Sequence, residues 1–418
     1  MIAFKKHTLS NGLRIIVHED HSSPMVAVNV VYDVGSRDEN PEMTGFAHLF
    51  EHLMFGGSEN IPDFDSPIQM AGGENNAFTN TDMTNFYNVL PSENIETALW
   101  LESDRMKQLI FSEDALEVQK KVVIEEFKET CLTEPFGDVW HHLSEMAYKK
   151  HSYRWPTIGK VPAHIAEARL EDVVDFFYKH YTPNNAVLVV AGKTKAEDVF
   201  ELAEKWFGDI PAGQKYHRNL EFDDPKSEYA TKTVIANVPV PAIYISFRMV
   251  DRQHPDYYAY DLLSDVLSNG RSSRLFQRLV KEKSIFSMID AYISGTFDPG
   301  LFIIEGRPMP DINVETMKKA IWHELDLLKE VKIDQRELQK LKNKIESSLE
   351  YSEVNILHKS MSLAYFELLG NADLINHEAD EYQKITSEDI QRVANEIFHK
   401  ENCSELIYQP KSMVNTSL

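Results

Sequence analysis

The second half of this chain repeats the first. His48-Leu-Phe-Glu51-His52-Leu-Met-Phe-Gly-Gly57 lies over Asp261-Leu-Leu-Ser264-Asp265-Val-Leu-Ser-Asn-Gly270 at an offset of 213 residues, and Leu170-Glu-Asp-Val173 lies over Ser387-Glu-Asp-Ile390 at an offset of 217. Two anchors at nearly one offset predict a single architecture built twice. The length of 418 residues agrees, since one domain usually takes about 100–200. Each copy mixes strands and helices. In the first, Leu13–Val17 and Met25–Tyr32 are β-branched runs bounded by Asn11-Gly12, Ser22-Ser23-Pro24 and Gly35. Helical text covers Thr44–Phe55, Glu93–Leu109 and Ser112–Thr130, and a strand returns at Ala186–Ala191. In the second, strands at Thr233–Ala236 and Ile243–Phe247 precede a helix over Pro255–Leu267. Between the copies, Pro211–Pro225 is polar and punctuated by proline. The expected fold is α/β (α+β), with an N-terminal domain over 1–215, a linker over 216–224 and a homologous C-terminal domain over 225–418.

The repeat keeps the apolar positions and changes the polar ones: His48, Glu51 and His52 become Asp261, Ser264 and Asp265. The fold is thus expected in both copies and the chemistry only in the first. On a helix, residues at i and i+4 share a face, so the imidazoles of His48 and His52 can reach one ion. Glu51 falls close to the same face, where a general base for a metal-activated water would stand. Phe46, Leu49, Phe50, Leu53 and Met54 cover the rest of the circumference, which predicts a buried helix, with Thr44 as N-cap and Gly56 just past the C-terminus. With 16 histidines in the chain, such a pentapeptide arises by chance in about one chain of this kind in twenty, so the motif needs a third ligand from elsewhere. Glu125 and Glu126, adjacent carboxylates inside Val122–Phe127, both qualify, because a charge in apolar text calls for a cation.

Composition excludes several alternatives. Asp and Glu number 66 against 43 Lys and Arg, a formal charge of −23. That charge repels phosphate backbones, so no nucleic-acid partner is expected, and it favours basic peptides. The two cysteines, Cys131 and Cys403, are too few for a disulfide framework and point to a reducing compartment. No signal peptide and no apolar run long enough for a membrane span is visible, so the expected location is cytoplasmic. His141-His142 with Glu145 reads as a helix surface beside Trp140 and Tyr148, and Ser66 has no partners that would make it a nucleophile.

Taken in order, the motifs resemble those of the pitrilysin-like (inverzincin) zinc metallopeptidases, which include mitochondrial processing peptidase, insulin-degrading enzyme and half-size bacterial relatives. The resemblance runs through Leu9–Leu13, Gly35-Ser-Arg-Asp-Glu39, Gly45–Gly57, Asn76-Ala-Phe-Thr79, Val122–Glu126, Ile158-Gly159, Tyr181–Asn184 and Ser273-Arg-Leu-Phe276. It implies two homologous domains facing each other across a cleft. It further implies Zn2+ held by His48, His52 and Glu126, with Glu125 as the fallback that faces away, and Glu51 as the catalytic base. Asn76 and Ala77 match the edge strand on which the family pairs its peptide substrates. Two departures matter. Gln119 stands where a supporting acid is common, with Glu117 the nearest substitute. Val280 and Phe286 stand where the family's substrate-binding Arg and Tyr are expected. The resemblance therefore implies a zinc endopeptidase working as the metal-bearing chain of a dimer, its partner a second family chain that carries the Arg/Tyr pair. The alternative is a non-hydrolytic peptide-binding or structural subunit.

Overall fold

A computed structural model describes residues 1–414. Eleven strands are present among them: β1 (Lys5–Thr8), β2 (Arg14–Glu19), β3 (Met25–Tyr32), β4 (Glu74–Thr79), β5 (Thr84–Pro91), β6 (Ala186–Gly192), β7 (Ala230–Ala236), β8 (Ala242–Arg248), β9 (Phe286–Ile293), β10 (Leu301–Pro308) and β11 (Cys403–Pro410). They form two sheets, in the orders β1-β2-β6-β3-β5-β4 and β7-β11-β8-β10-β9. Without β1, the first order becomes the second by direct substitution. The match extends to strand direction: β2–β6 and β7–β11 are the parallel pairs, and every other pair is antiparallel. The duplication read from the sequence is therefore a duplication of topology.

The longer helices are α1 (Phe46–Leu53), α2 (Ile95–Lys107), α3 (Glu113–Phe127), α4 (Val139–Ala147), α5 (Leu170–His180), α6 (Ala196–Phe207), α7 (Tyr257–Ser268), α8 (Val314–Glu330), α9 (Gln335–Ser352), α10 (Ile356–Leu368) and α11 (Ser387–Ile397). In the first sheet the side-chain alternation of a strand sorts residues between two apolar layers. Ile15, Val17, Val28, Val30, Leu188 and Val190 point to the layer built by α1, α2, α3, α5 and α6. Ile16, Val31, Val187 and Val189 point the other way, against Leu363 and Ala364 of α10. In the second sheet, Ala242, Tyr244, Ile303, Leu406 and Tyr408 pack on Val139, Leu143 and Ala147 of α4. On the opposite face, Phe247 meets Trp322 of α8 and Phe398 just beyond α11.

Two compact units result. One comprises residues 1–128, 155–221 and 349–377; the other comprises 129–154, 222–348 and the chain from 378 on. The repeat predicts contiguous domains over 1–215 and 225–418, and each compact unit also takes a segment from the opposite half of the chain. The exchange is reciprocal. α4 follows the long helix α3 and serves the second sheet, whereas α10 follows the long helix α9 and serves the first. Polar contacts fix α10 and its surroundings in the first unit: Lys359 pairs with Asp20 at 2.6 Å, and Asn376 Oδ1 accepts the Ile2 N–H at 2.6 Å. No helix of the described residues is long and apolar enough to cross a membrane.

Leu363 is fully buried in the layer that α10 supplies. Leu363→Ala is expected to cost about 2–5 kcal/mol in chemical denaturation. In hydrogen-exchange mass spectrometry the lost protection should fall on β3 and β6, more than 150 residues away in sequence, and spare β8 and β11.

Candidate metal centre

α1 has eight residues, too few to be stable as an isolated helix, so its neighbours must hold it. Phe46 packs on Phe176, and Phe50 stacks on Phe176, Phe177 and Tyr181 from α5 and its end. The helix starts differently from the expectation. Its N-cap is Gly45, in the left-handed region at φ 91° and with no side chain to cap it. Only glycine suits this position, since a Cβ would lie 2.9 Å from the Ile158 carbonyl oxygen. Thr44 is not the cap. Its hydroxyl instead accepts the Lys160 N–H at 2.7 Å and lies 2.9 Å from His164 Nδ1. The donors at the helix start go to Glu39, whose oxygens accept from Gly45 N and Ala47 N, each at 2.9 Å, and from Trp155 Nε1 at 3.1 Å. Burial pushes the Glu39 carboxyl up to about 8, against the pull of these N–H donors.

The two histidines and one of the two candidate glutamates meet. Glu126 Oε2 lies 3.1 Å from His48 Nε2 and 3.3 Å from His52 Nε2, and the two imidazole nitrogens are 3.3 Å apart. Zinc–ligand bonds of about 2.0–2.1 Å at the tetrahedral angle separate ligand atoms by about 3.3–3.4 Å. The triangle formed by these three atoms thus has the size of one face of a zinc tetrahedron. Among the described residues it is the one cluster of three or more His, Cys, Asp or Glu side chains with metal-ligand spacing. Hydrogen bonds from the imidazoles hold the Glu126 carboxyl well below the usual carboxylate range, His48 contributing most. Glu125 points to solvent and pairs with Lys128 at 3.0 Å. Neither Gln119 nor its nearest acidic substitute joins the cluster: Glu117 pairs with Lys120, and Gln119 lines a small apolar pocket with Leu53, Gly56 and Ile110.

Glu51 stands beside this triangle without entering it, its Oε2 3.9 Å from His48 Nδ1. Thr79 Oγ1 donates to the same oxygen at 2.7 Å. Thr79 ends β4, the outer strand of the first sheet, which among the described residues pairs only with β5. Asn76 and Ala77 lie on that strand opposite Tyr87 and Phe86. The Ala77 N–H goes to Asn76 Oδ1 at 2.8 Å rather than to β5, so it faces the open edge, where an added strand would take the place of the Asn76 amide. In the second unit, the residues at the ligand positions make no comparable triangle. Asp261 accepts from the Tyr382 hydroxyl and Asp265 from Asn269, and burial pushes Asp261 up and Asp265 up to about 6. Phe286 is fully buried, its ring against Gly306 of β10, so that position offers the core a ring and offers no hydroxyl.

Sequence reasoning did not assign roles to Glu39 and Thr79. Both lie inside quoted motifs, but no local spacing rule joins a carboxylate to a helix start six and eight residues later, or a strand threonine to a helix glutamate 28 residues before it. Glu126→Gln is expected to lose stoichiometric zinc on dialysis, whereas Glu125→Gln retains it, as atomic absorption would record.

Residues 14–160 match the family model described as Insulinase (Peptidase family M16), and residues 168–345 match that of the Peptidase M16 inactive domain. A curated relative, the zinc protease PqqE of Helicobacter pylori (strain ATCC 700392 / 26695), is 29% identical over 413 residues, covering 96% of this chain and 92% of its own. The uncharacterized zinc protease YmxG of Bacillus subtilis (strain 168) is 27% identical over 409 residues, covering 96% and 98%. Among solved structures, a protease from Helicobacter pylori superposes with a TM-score of 0.93 at 27% identity, over 98% of this chain and 100% of that one. Together the two matches span most of residues 14–345, and the chain belongs to peptidase family M16.

Proposed function

We propose that this chain is a zinc-dependent endopeptidase that cleaves extended peptides, with His48, His52 and Glu126 as metal ligands and Glu51 as general base. The observation that carries this reading is the ligand triangle of 3.1–3.3 Å edges with a carboxylate standing just outside it. A structural zinc site has no use for such a neighbour. Bound zinc would supply a Lewis acid for the scissile carbonyl and would lower the pKa of a water at the site. Glu51 then takes the proton from the attacking water and delivers it to the leaving amine. Thr79 holds one oxygen of that carboxylate by its hydroxyl, which keeps Glu51 from swinging into the ligand triangle. β4 presents Asn76 and Ala77 to a peptide that adds as a further strand, a mode in which main-chain bonds give affinity with little demand on sequence.

The partner is part of the proposal. Val280 and Phe286 give this chain neither the guanidinium fork nor the hydroxyl expected at those positions. A second family chain with the Arg/Tyr pair would complete the enzyme, and two buried cysteines that form no disulfide suit a cytoplasmic location. With a quenched-fluorescent extended peptide, Glu51→Gln is expected to lower turnover by about 10²–10⁴-fold while zinc content stays unchanged. Thr79→Val is expected to lower kcat more than it raises KM, and Thr79→Ser to restore it. Retained zinc with no hydrolysis, whether the chain is alone or joined by such a partner, would favour the non-hydrolytic peptide-binding reading.

A further inference from the structure

The helix that carries both histidines and the proposed base has an unusual start. A helix normally satisfies its first N–H groups with the side chain of its own N-cap, and here the N-cap is a glycine that has none. Glu39 does this work from outside the helix. It is 5% exposed, and it places one oxygen on Ala47 N and the other on Gly45 N, each at 2.9 Å. Trp155 Nε1 holds the Gly45-bonded oxygen at 3.1 Å and also donates to the Ser36 carbonyl at 3.1 Å, so the carboxyl is fixed from a third segment of the chain. Ala47 is the residue before His48, and a shift of the first turn would move both imidazoles.

The internal repeat shows what this carboxyl accompanies. At the offset of 213 that lays α1 on α7, Glu39 falls on Arg252. Arg252 pairs with Glu378 at 2.6 Å and lies over the Tyr257 and Tyr258 rings. α7 has no metal-ligating histidine, and it begins at Asp256 without a side-chain cap. The second unit therefore folds the same topology without an acid at this position. The fold as such does not require the acid, whereas the copy with the ligands has it.

We infer that Glu39 is a positioning residue for the metal centre: by accepting the Gly45 and Ala47 N–H groups it fixes the start of α1, and with it the separation of His48 and His52 from Glu126. This rests on the proposed metal centre. Either protonation state of the acid can accept these bonds, whereas the amide of a glutamine turns one acceptor into a donor and leaves one helix N–H facing another donor.

The test uses the full chain and Zn2+ alone, without substrate. Zinc affinity is measured by competition with a chromophoric chelator, and melting temperature with and without zinc, for wild type, Glu39→Gln and Glu39→Asp. Residues behind metal ligands typically change affinity by about 10–100-fold, so Glu39→Gln is expected to weaken zinc binding by about that factor. Glu39→Asp, one methylene short of the helix, is expected to weaken it less. A purely structural role would lower the melting temperature of the metal-free chain and leave the zinc-induced rise unchanged. The assignment instead predicts a smaller rise and an altered visible spectrum when Co2+ replaces Zn2+. Wild-type affinity and an unchanged rise in both variants would overturn it. So would loss of the fold in both variants by far-UV circular dichroism, which would make Glu39 a determinant of folding. A wild-type chain that binds no zinc would overturn the metal centre itself, and with it this assignment, and that outcome is read before any variant is compared.

Discussion

A strand in the middle of the first sheet must be covered twice. β6 is buried along its whole length, with Val187 and Val189 on one side and Leu188 and Val190 on the other, and each such side chain contributes about 1.5–3 kcal/mol only when water is removed from it. One side is covered by helices from the same half of the sequence. The other is covered by α10, from the far half. The second sheet receives α4 in return. The rest of the architecture follows from this demand for a second layer, including the five points at which the chain passes between its compact units.

The candidate metal centre uses the rigid side of that arrangement. All the residues it draws on, from Glu39 to Trp155, lie in the first unit, and its ligands stand on two helices rooted in one apolar layer. Placing two imidazoles and a carboxylate within 3.3 Å of one another costs desolvation that a cation offsets. The outer strand enters the same site through Thr79, so the segment proposed to receive a peptide and the base proposed to act on it share a hydrogen bond. The second unit has kept the frame and lost this investment: Asp261 and Asp265 sit where the imidazoles would be and turn to Tyr382 and Asn269.

What could be read from the sequence was whatever repeats locally. The i, i+4 spacing of His48 and His52 located one helix face, and the apolar run Ala186–Ala191 located a strand. Glu125 and Glu126 could not be separated by apolar context, because neighbouring helix positions differ by about 100° in direction while sharing the same surroundings. The family resemblance favoured Glu126, and the geometry brings Glu126 to the histidines. Thr44 looked like a cap because its residue type is right, yet the left-handed turn at Gly45 hands the helix start to Glu39 instead. The exchange of α4 and α10 left no local mark either, since the repeat preserves the order of elements along the chain and says nothing of which sheet each one covers.

The exchange also sets a timetable for synthesis. When the first sheet's strands have all emerged from the ribosome, α4 is already made, but the sheet it will cover has not been. The helix that will cover Ile16, Val31, Val187 and Val189 lies at Ile356–Leu368. Between the making of β6 and that of α10, one apolar face of the first sheet has no partner in the nascent chain. The unit that carries the metal ligands thus has all its strands early, and it can be completed only after β7 to β10 of the second sheet have been made.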